Sequence, residues 1–342
     1  MSVPPPAGFG GYPPHPAYGP AAGLRFSTIL GDGIALLRRG FGPMALLGLG
    51  VGVVNAGITI GLYAAFATPF LVAFASLNLS GVLVNLTVAV TAATLLGWLV
   101  QAQAGAMVVH LTESVAAGRP AELADAARAT RGVLTRVLVP YLLAAAGVLL
   151  AVGGVLAWFQ QVVAAARTDR TTAASTVLTF LLLLLAGYLV AAVVGAVLSA
   201  RWFCFLPVVA LERAPGFVAL GRSWRLTRDV AWTVFGVQLV TGVVLSIVNG
   251  MVGQIAAAPL GGDPGSTLGG LQDAVDQSLP AVAVSALAGS LVQAVAVPLL
   301  VVMSTVVYRA RTRPVAPPAW GPQGWGPQGW GPQGGWPPPP PR

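Results

Sequence analysis

Two groups of ionisable residues stand where they could do chemistry. His110 precedes Glu113 by three residues, which puts an imidazole and a carboxylate on one helix face. Such a pair serves acid–base catalysis or metal binding only when further ligands converge on it. The sequence around them supplies none, so both read as structural or solvated groups. Glu212 and Arg213 precede Arg222, Arg225 and Arg228, the last two lying between Trp224 and Trp232. That spacing suits an ion-pair cluster, or arginines facing phosphate. Cys204 is the single cysteine, so no internal disulfide and no cysteine-only zinc site can form. It reads as a buried thiol rather than an acylation site. Asp263, Asp273 and Asp276 lack calcium-loop spacing. No phosphate-binding loop, nucleophile elbow or zinc-protease helix occurs. The sequence therefore predicts no catalytic residue, no metal centre and no cofactor.

The elements that must carry these residues are unusually apolar. Hydrophobic residues make up 56% of the 342 and charged ones 8%, with a mean hydropathy of +0.80. Six stretches, roughly 43–66, 82–109, 137–160, 174–200, 230–258 and 280–308, contain no charge and are long enough to span hydrocarbon. Backbone in lipid must satisfy itself, so each is read as a helix. Runs such as "VLTFLLLLLAGYLVAAVVGAVL" do not alternate as barrel strands do. The predicted class is an all-α, six-span membrane protein.

All 18 basic residues are arginine, and they sort by alternate loops. Only Arg167 and Arg170 fall on the side opposite the other sixteen. The positive-inside rule then predicts a plasma-membrane protein with both termini cytoplasmic. A nucleic-acid-binding face would not sort this way. "MSVPPPAGFGGYPPHPAYGP" lacks a basic region leading into a short apolar stretch, so no cleavable signal peptide is expected.

Composition divides the chain into a Pro/Gly/Tyr-rich tail (1–22, carrying His15), a membrane domain (23–313) and a second tail (314–342). In the last, Trp320, Trp325 and Trp330 recur in the unit "WGPQG" and Trp336 follows. Pro and Gly at this density predict disorder and polyproline II. The tryptophans read either as docking points for a cytoplasmic protein or as low-complexity repetition at the interface.

On a helical wheel Phe217, Leu220, Trp224, Thr227 and Ala231 share one face, while Arg222, Arg225 and Arg228 lie off it. This predicts an interfacial helix with its apolar face toward lipid and its arginines toward headgroups. "ARATRGVLTRV" (127–137) aligns with "WRLTRDVAWTV" (224–234) at an offset of 97, matching Arg128 to Arg225, Thr130 to Thr227 and Arg131 to Arg228. A third copy, "ILGDGIALLRRGF", matches Arg39 and Gly40 to Arg131 and Gly132 at an offset of 92. Three parallel repeats of interfacial helix plus transmembrane hairpin follow, with a pseudo-threefold axis along the membrane normal.

"LERAPGFVALGRSWRLTRDVAWTVFG" (211–236), after "ARWFCFLPVVA", resembles a signature of the membrane domain of bacterial glycerophosphoryl diester phosphodiesterases, which in actinobacteria often stands alone. Leu211, Glu212, Ala219, Leu220, Arg222, Ser223, Trp224, Arg225, Leu226 and Arg228 carry the likeness, and "ILGDGIALLRRGFGPMALLG" (29–48) resembles that group's opening segment. In fused members the chemistry belongs to a soluble barrel with histidines and metal-binding carboxylates. No segment here carries that barrel, so the resemblance implies a membrane scaffold without catalytic residues.

Within the spans, Asn55, Asn85, Gln101, Gln103, Gln238, Asn249, Gln254 and Gln293 either line a substrate path or join helices. Gly48/Gly52 and Gly57/Gly61 have spacing suited to close packing. No Asp, Glu, Lys or Arg lies near a span centre, which argues against an ion-coupled pump. Arg128, Arg131, Arg222, Trp224, Arg225 and Arg228 are the candidate contacts to anionic lipid or the interface. The sequence first suggests a non-enzymatic protein that organises envelope or lipid-associated partners through its tails. A permease or lipid-handling protein without ion coupling is the alternative, with a membrane-embedded enzyme third. It fixes no oligomeric state.

Overall fold

A computed structural model describes residues 24–75, 80–168, 170–257 and 271–312. Both tails, with Trp320, Trp325, Trp330 and Trp336, lie outside the described residues. The described chain is helical, with no strand among the described residues: α1 (Phe26–Arg39), α2 (Phe41–Ala75), α3 (Ser80–Ala116), α4 (Leu123–Ala129), α5 (Val133–Thr168), α6 (Arg170–Arg201), α7 (Phe205–Glu212), α8 (Gly216–Leu226), α9 (Ala231–Ala257) and α10 (Leu271–Thr312). Six segments are long and apolar enough to cross a membrane.

The repeat is visible in burial. Residues 31–40, 124–133 and 221–230 bury the same positions: Gly33, Leu37 and Gly40; Ala126, Thr130 and Val133; Ser223, Thr227 and Val230. Met44, Val137 and Val234 continue the stripe into the long helix of each unit. The i, i+4, i+7, i+11 spacing is one helix face. The stripe relates the second and third units by 97 residues, as the sequence implies. It relates the first and second by 93, not 92. Matching arginines misplaced that register, because arginines on the exposed side tolerate a one-residue shift that a packed stripe does not.

The hairpins follow one another in a ring. Units contact at α3–α5 and, more sparsely, α6–α9, and α10 closes extensively on α2. Each short helix lies against the end of a second helix: α4 on α3, α8 on α7, and α1 on α10. Among the described residues the main core forms at this end. It joins Ala102–Leu111 of α3, Phe205–Ala210 of α7 and Val301–Tyr308 of α10 with the stripes of the short helices. Towards the other end the helices present their apolar side chains outward, as at Leu150 and Ile255.

The fourth crossing runs further than the apolar run 174–200 suggests. It passes a break at Trp202–Cys204 and continues through α7 to Glu212. At the break the Phe205 amide donates to Trp202 O, leaving Arg201 O outside the helical ladder. Ser223 Oγ and Thr227 Oγ1 donate to that oxygen at 3.0 and 2.9 Å. Between α4 and α5 the turn needs Gly132, whose φ is 81°.

Two glycines allow α2 and α10 to touch at backbone distance. A Cβ on Gly48 would lie 2.6 Å from Gln293 O and 2.9 Å from Ala294 O, and one on Gly52 would lie 2.7 Å from Ser290 Cα. Ala294 O is the carbonyl that Pro298, without an N–H, leaves unbonded. Gly216 meets Arg136 O, freed by Pro140, in the same way. Gly57 and Gly61 have nothing within 4 Å of an added Cβ, so this pair does not pack as its spacing suggests. Gly52→Val should therefore destabilise the purified protein by about 1–3 kcal/mol, since backbone cannot yield. Gly57→Val should leave thermal unfolding in the same detergent unchanged.

Candidate functional site

The arginines named by the sequence gather at the end that holds the core, but their charges are used differently. Arg222 Nε donates to Glu212 Oε1 at 2.7 Å, and Tyr308 of α10 donates its hydroxyl to the same oxygen at 2.8 Å. Arg222 is thus bound inward to a carboxylate rather than left for lipid. Arg128 pairs with Asp125 at the surface. Arg131, Arg225 and Arg228 are exposed. Trp224 is partly exposed and stacks beneath Arg201, whose Cζ lies 5.0 Å from the ring centroid.

The α8 face follows the wheel reading only in part. Phe217 and Trp224 are exposed, as an outward apolar face requires, but Leu220 packs against the core and Thr227 is fully buried. Thr227 belongs to the stripe of small residues because its hydroxyl is needed at Arg201 O. Its counterpart Thr130 is buried too and accepts from Gln103 Nε2 of α3 at 3.0 Å.

Glu113 faces Arg309 at 3.6 Å, and Asp229 faces Arg311 at the same distance. His110 of α3 is half-buried beside the Ala210 backbone of α7. Among the described residues no three His, Cys, Asp or Glu come together in a metal-binding group. Cys204 is fully buried, its Sγ 3.9 Å from Ser304 O.

The span amides divide into two sets. Gln103 joins α3 to Thr130, and Gln238 exchanges hydrogen bonds with Ser199 across α6 and α9. These two are interhelical ties. Asn55, Asn249, Gln254 and Gln293 instead line one cleft of about 600 Å³ between α2, α9 and α10. Thr59, Ser285 and Ser290 add hydroxyls, and Gly52, Gly250, Gly253 and Gly289 keep the walls low. No charged residue is among the described residues that line it. Asn55 Oδ1 sits against Gly97, and Asn249 Oδ1 against Gly289, within their own hairpins. Yet the four amide groups make no hydrogen bond to another described residue. Asn85 and Gln101 are exposed away from the cleft. The polarity of these residues is plain in sequence, but their convergence depends on α10 reaching α2, which no local signal announces.

No known protein family, curated protein or solved structure matches the chain. Fold and spans define a class, the all-α multi-pass membrane proteins. The likeness to the phosphodiesterase membrane domain stays an expectation.

The ion pairs should differ sharply in worth. Glu212→Ala strands the Arg222 guanidinium and the Tyr308 hydroxyl, side chains about a quarter or less exposed, and should cost about 1–3 kcal/mol. Asp125→Ala breaks a pair that is mostly exposed and should cost at most about 0.5 kcal/mol. Thermal unfolding of both variants in one detergent checks the contrast.

Proposed function

We propose that the protein takes a neutral, hydrogen-bonding molecule into the cleft between α2, α9 and α10, as a permease or lipid-handling protein without ion coupling. One observation carries this reading: four span amides from three helices converge on the cleft and make no hydrogen bond to another described residue. In hydrocarbon an unmet amide costs several kcal/mol, so interhelical amides normally find each other. Gln103 and Gln238 behave that way and the cleft amides do not. A lining of amides, hydroxyls and glycine backbone favours a ligand rich in hydroxyl or amide groups and disfavours an ion. The positive-inside rule puts the core end in the cytoplasm and the cleft in the outer half of the plasma membrane.

In this reading the protein is not an enzyme. Glu113, Glu212 and Asp229 at the core end are each paired with an arginine, and the described cleft lining offers no acid, base or nucleophile stronger than a hydroxyl. The scaffold reading rests on tails outside the described residues.

The test is mass spectrometry of what co-purifies from native membranes with the full-length chain and with an Asn249→Leu/Gln293→Leu variant. At least one neutral polar lipid or solute should fall about tenfold or more in the variant, the loss expected from two hydrogen bonds. Equal profiles would end the cleft reading. A Gln293→Cys thiol should also react with a hydrophilic maleimide while buried Cys204 stays silent.

A further inference from the structure

A second recess, of about 480 Å³, lies at the core end between α1, the last turns of α10 and the end of α3. It is unlike the amide cleft in chemistry and does not depend on the reading given for that cleft. Thr28, Asp32 and Arg39 of α1 line it, with Arg309 of α10 opposite. Positions 28, 32 and 39 fall on one helix face, so α1 presents a hydroxyl, a carboxylate and a guanidinium in a row.

The charges in the row do not neutralise each other. Neither Asp32 nor Arg39 makes an ion pair among the described residues. Seven residues separate them, two turns or about 10 Å of rise. Helical side chains lean toward the N-terminus, which shortens such a gap, yet no ion pair forms between the two. Arg309 is ion-paired with Glu113 through Nε at 3.6 Å, which leaves its terminal N–H groups to offer. The recess therefore holds Asp32 and Arg39 as separate charges, with the Arg309–Glu113 pair opposite. An anion alone would face Asp32, and a cation alone would face Arg39. A molecule carrying both charges a few bonds apart satisfies both.

We propose that this recess binds a phosphate that carries a primary ammonium, the chemistry of a phosphoethanolamine headgroup. The phosphate lies between Arg39 and Arg309, which offer forked N–H donors. The ammonium donates to Asp32 and the Thr28 hydroxyl. A quaternary ammonium has no N–H to give Asp32, and a glycerol headgroup has no charge for it, so both are discriminated against. Leu36 and Val306 supply an apolar wall for the glycerol and first acyl carbons. Because α1 is amphipathic and α10 ends here, the recess sits at headgroup depth.

The experiment uses the full-length chain in phosphatidylcholine nanodiscs doped with equal fractions of phosphatidylethanolamine and phosphatidylglycerol, reading retained lipid by native mass spectrometry. Wild type should enrich phosphatidylethanolamine over phosphatidylglycerol about fivefold. Asp32→Asn, nearly isosteric and exposed, should reverse that preference, because Arg39 then stands in the recess without a free carboxylate to oppose it. Arg39→Gln should return phosphatidylethanolamine retention to the bulk fraction, while Arg38→Gln, exposed on the same helix but outside the recess, should change nothing. Soluble phosphoethanolamine at millimolar concentration separates two sources: displacement identifies a soluble zwitterion, and retention identifies the membrane lipid. An unchanged lipid ratio in Asp32→Asn overturns the proposal, as does an equal loss in Arg39→Gln and Arg38→Gln. A merely structural role for Asp32 would not invert headgroup selectivity.

Discussion

The carbonyl oxygen of Arg201 has no helical partner, and much of the core end follows from how it is satisfied. An unmet carbonyl in a dry interior costs as much as a lost hydrogen bond. Here two hydroxyls from α8 meet it. To reach it, Ser223 and Thr227 must face inward, so the buried face of α8 is small and its larger apolar residues turn outward. Docking α8 also fixes the turn after α7, which places Glu212 beside Arg222 and Tyr308. A single backbone group thus couples a helix break to an ion pair ten residues further on.

The same logic holds in weaker form elsewhere in the ring. Thr130 occupies the position of Thr227 and receives Gln103, a side chain, where Thr227 finds a carbonyl. In the first unit Leu37 stands there, and contact with α10 comes instead through Gly33, where an added Cβ would lie 3.1 Å from Met303 Cγ. Three chemistries, hydroxyl to backbone, amide to hydroxyl and glycine to thioether side chain, therefore hold three equivalent helices. The repeat is conserved in shape and burial more than in bonding.

This explains which parts of the molecule could be read from its sequence. Span number and class were legible because hydrocarbon imposes length and polarity directly. The two later repeats were legible through Thr130 and Thr227, whose packing role keeps them in register. The first was misplaced by one residue because Arg38 and Arg39 are exposed and carry no register. The α7 segment was hidden, since its apolar residues continue the run before it and only Pro207, in a first helical turn, hints at a new start. The cleft amides were visible one by one, but their meeting requires residues 55 and 293 to be neighbours. Sequence distance of that order erases any local signal.

Closure of the ring through α10 and α2 has a consequence in time. A chain made from its N-terminus inserts α2 long before α10 exists, so the groove around Gly48 and Gly52 first faces acyl chains. Lipid tolerates such a groove, because small apolar residues cost little there and helix association in membranes is driven by packing. The amide of Asn55 is equally without its later neighbours during this interval. The last span to be synthesised is therefore the one that completes both the tightest helix pair and the polar cleft. A truncated product that lacks α10 keeps five crossings and neither feature.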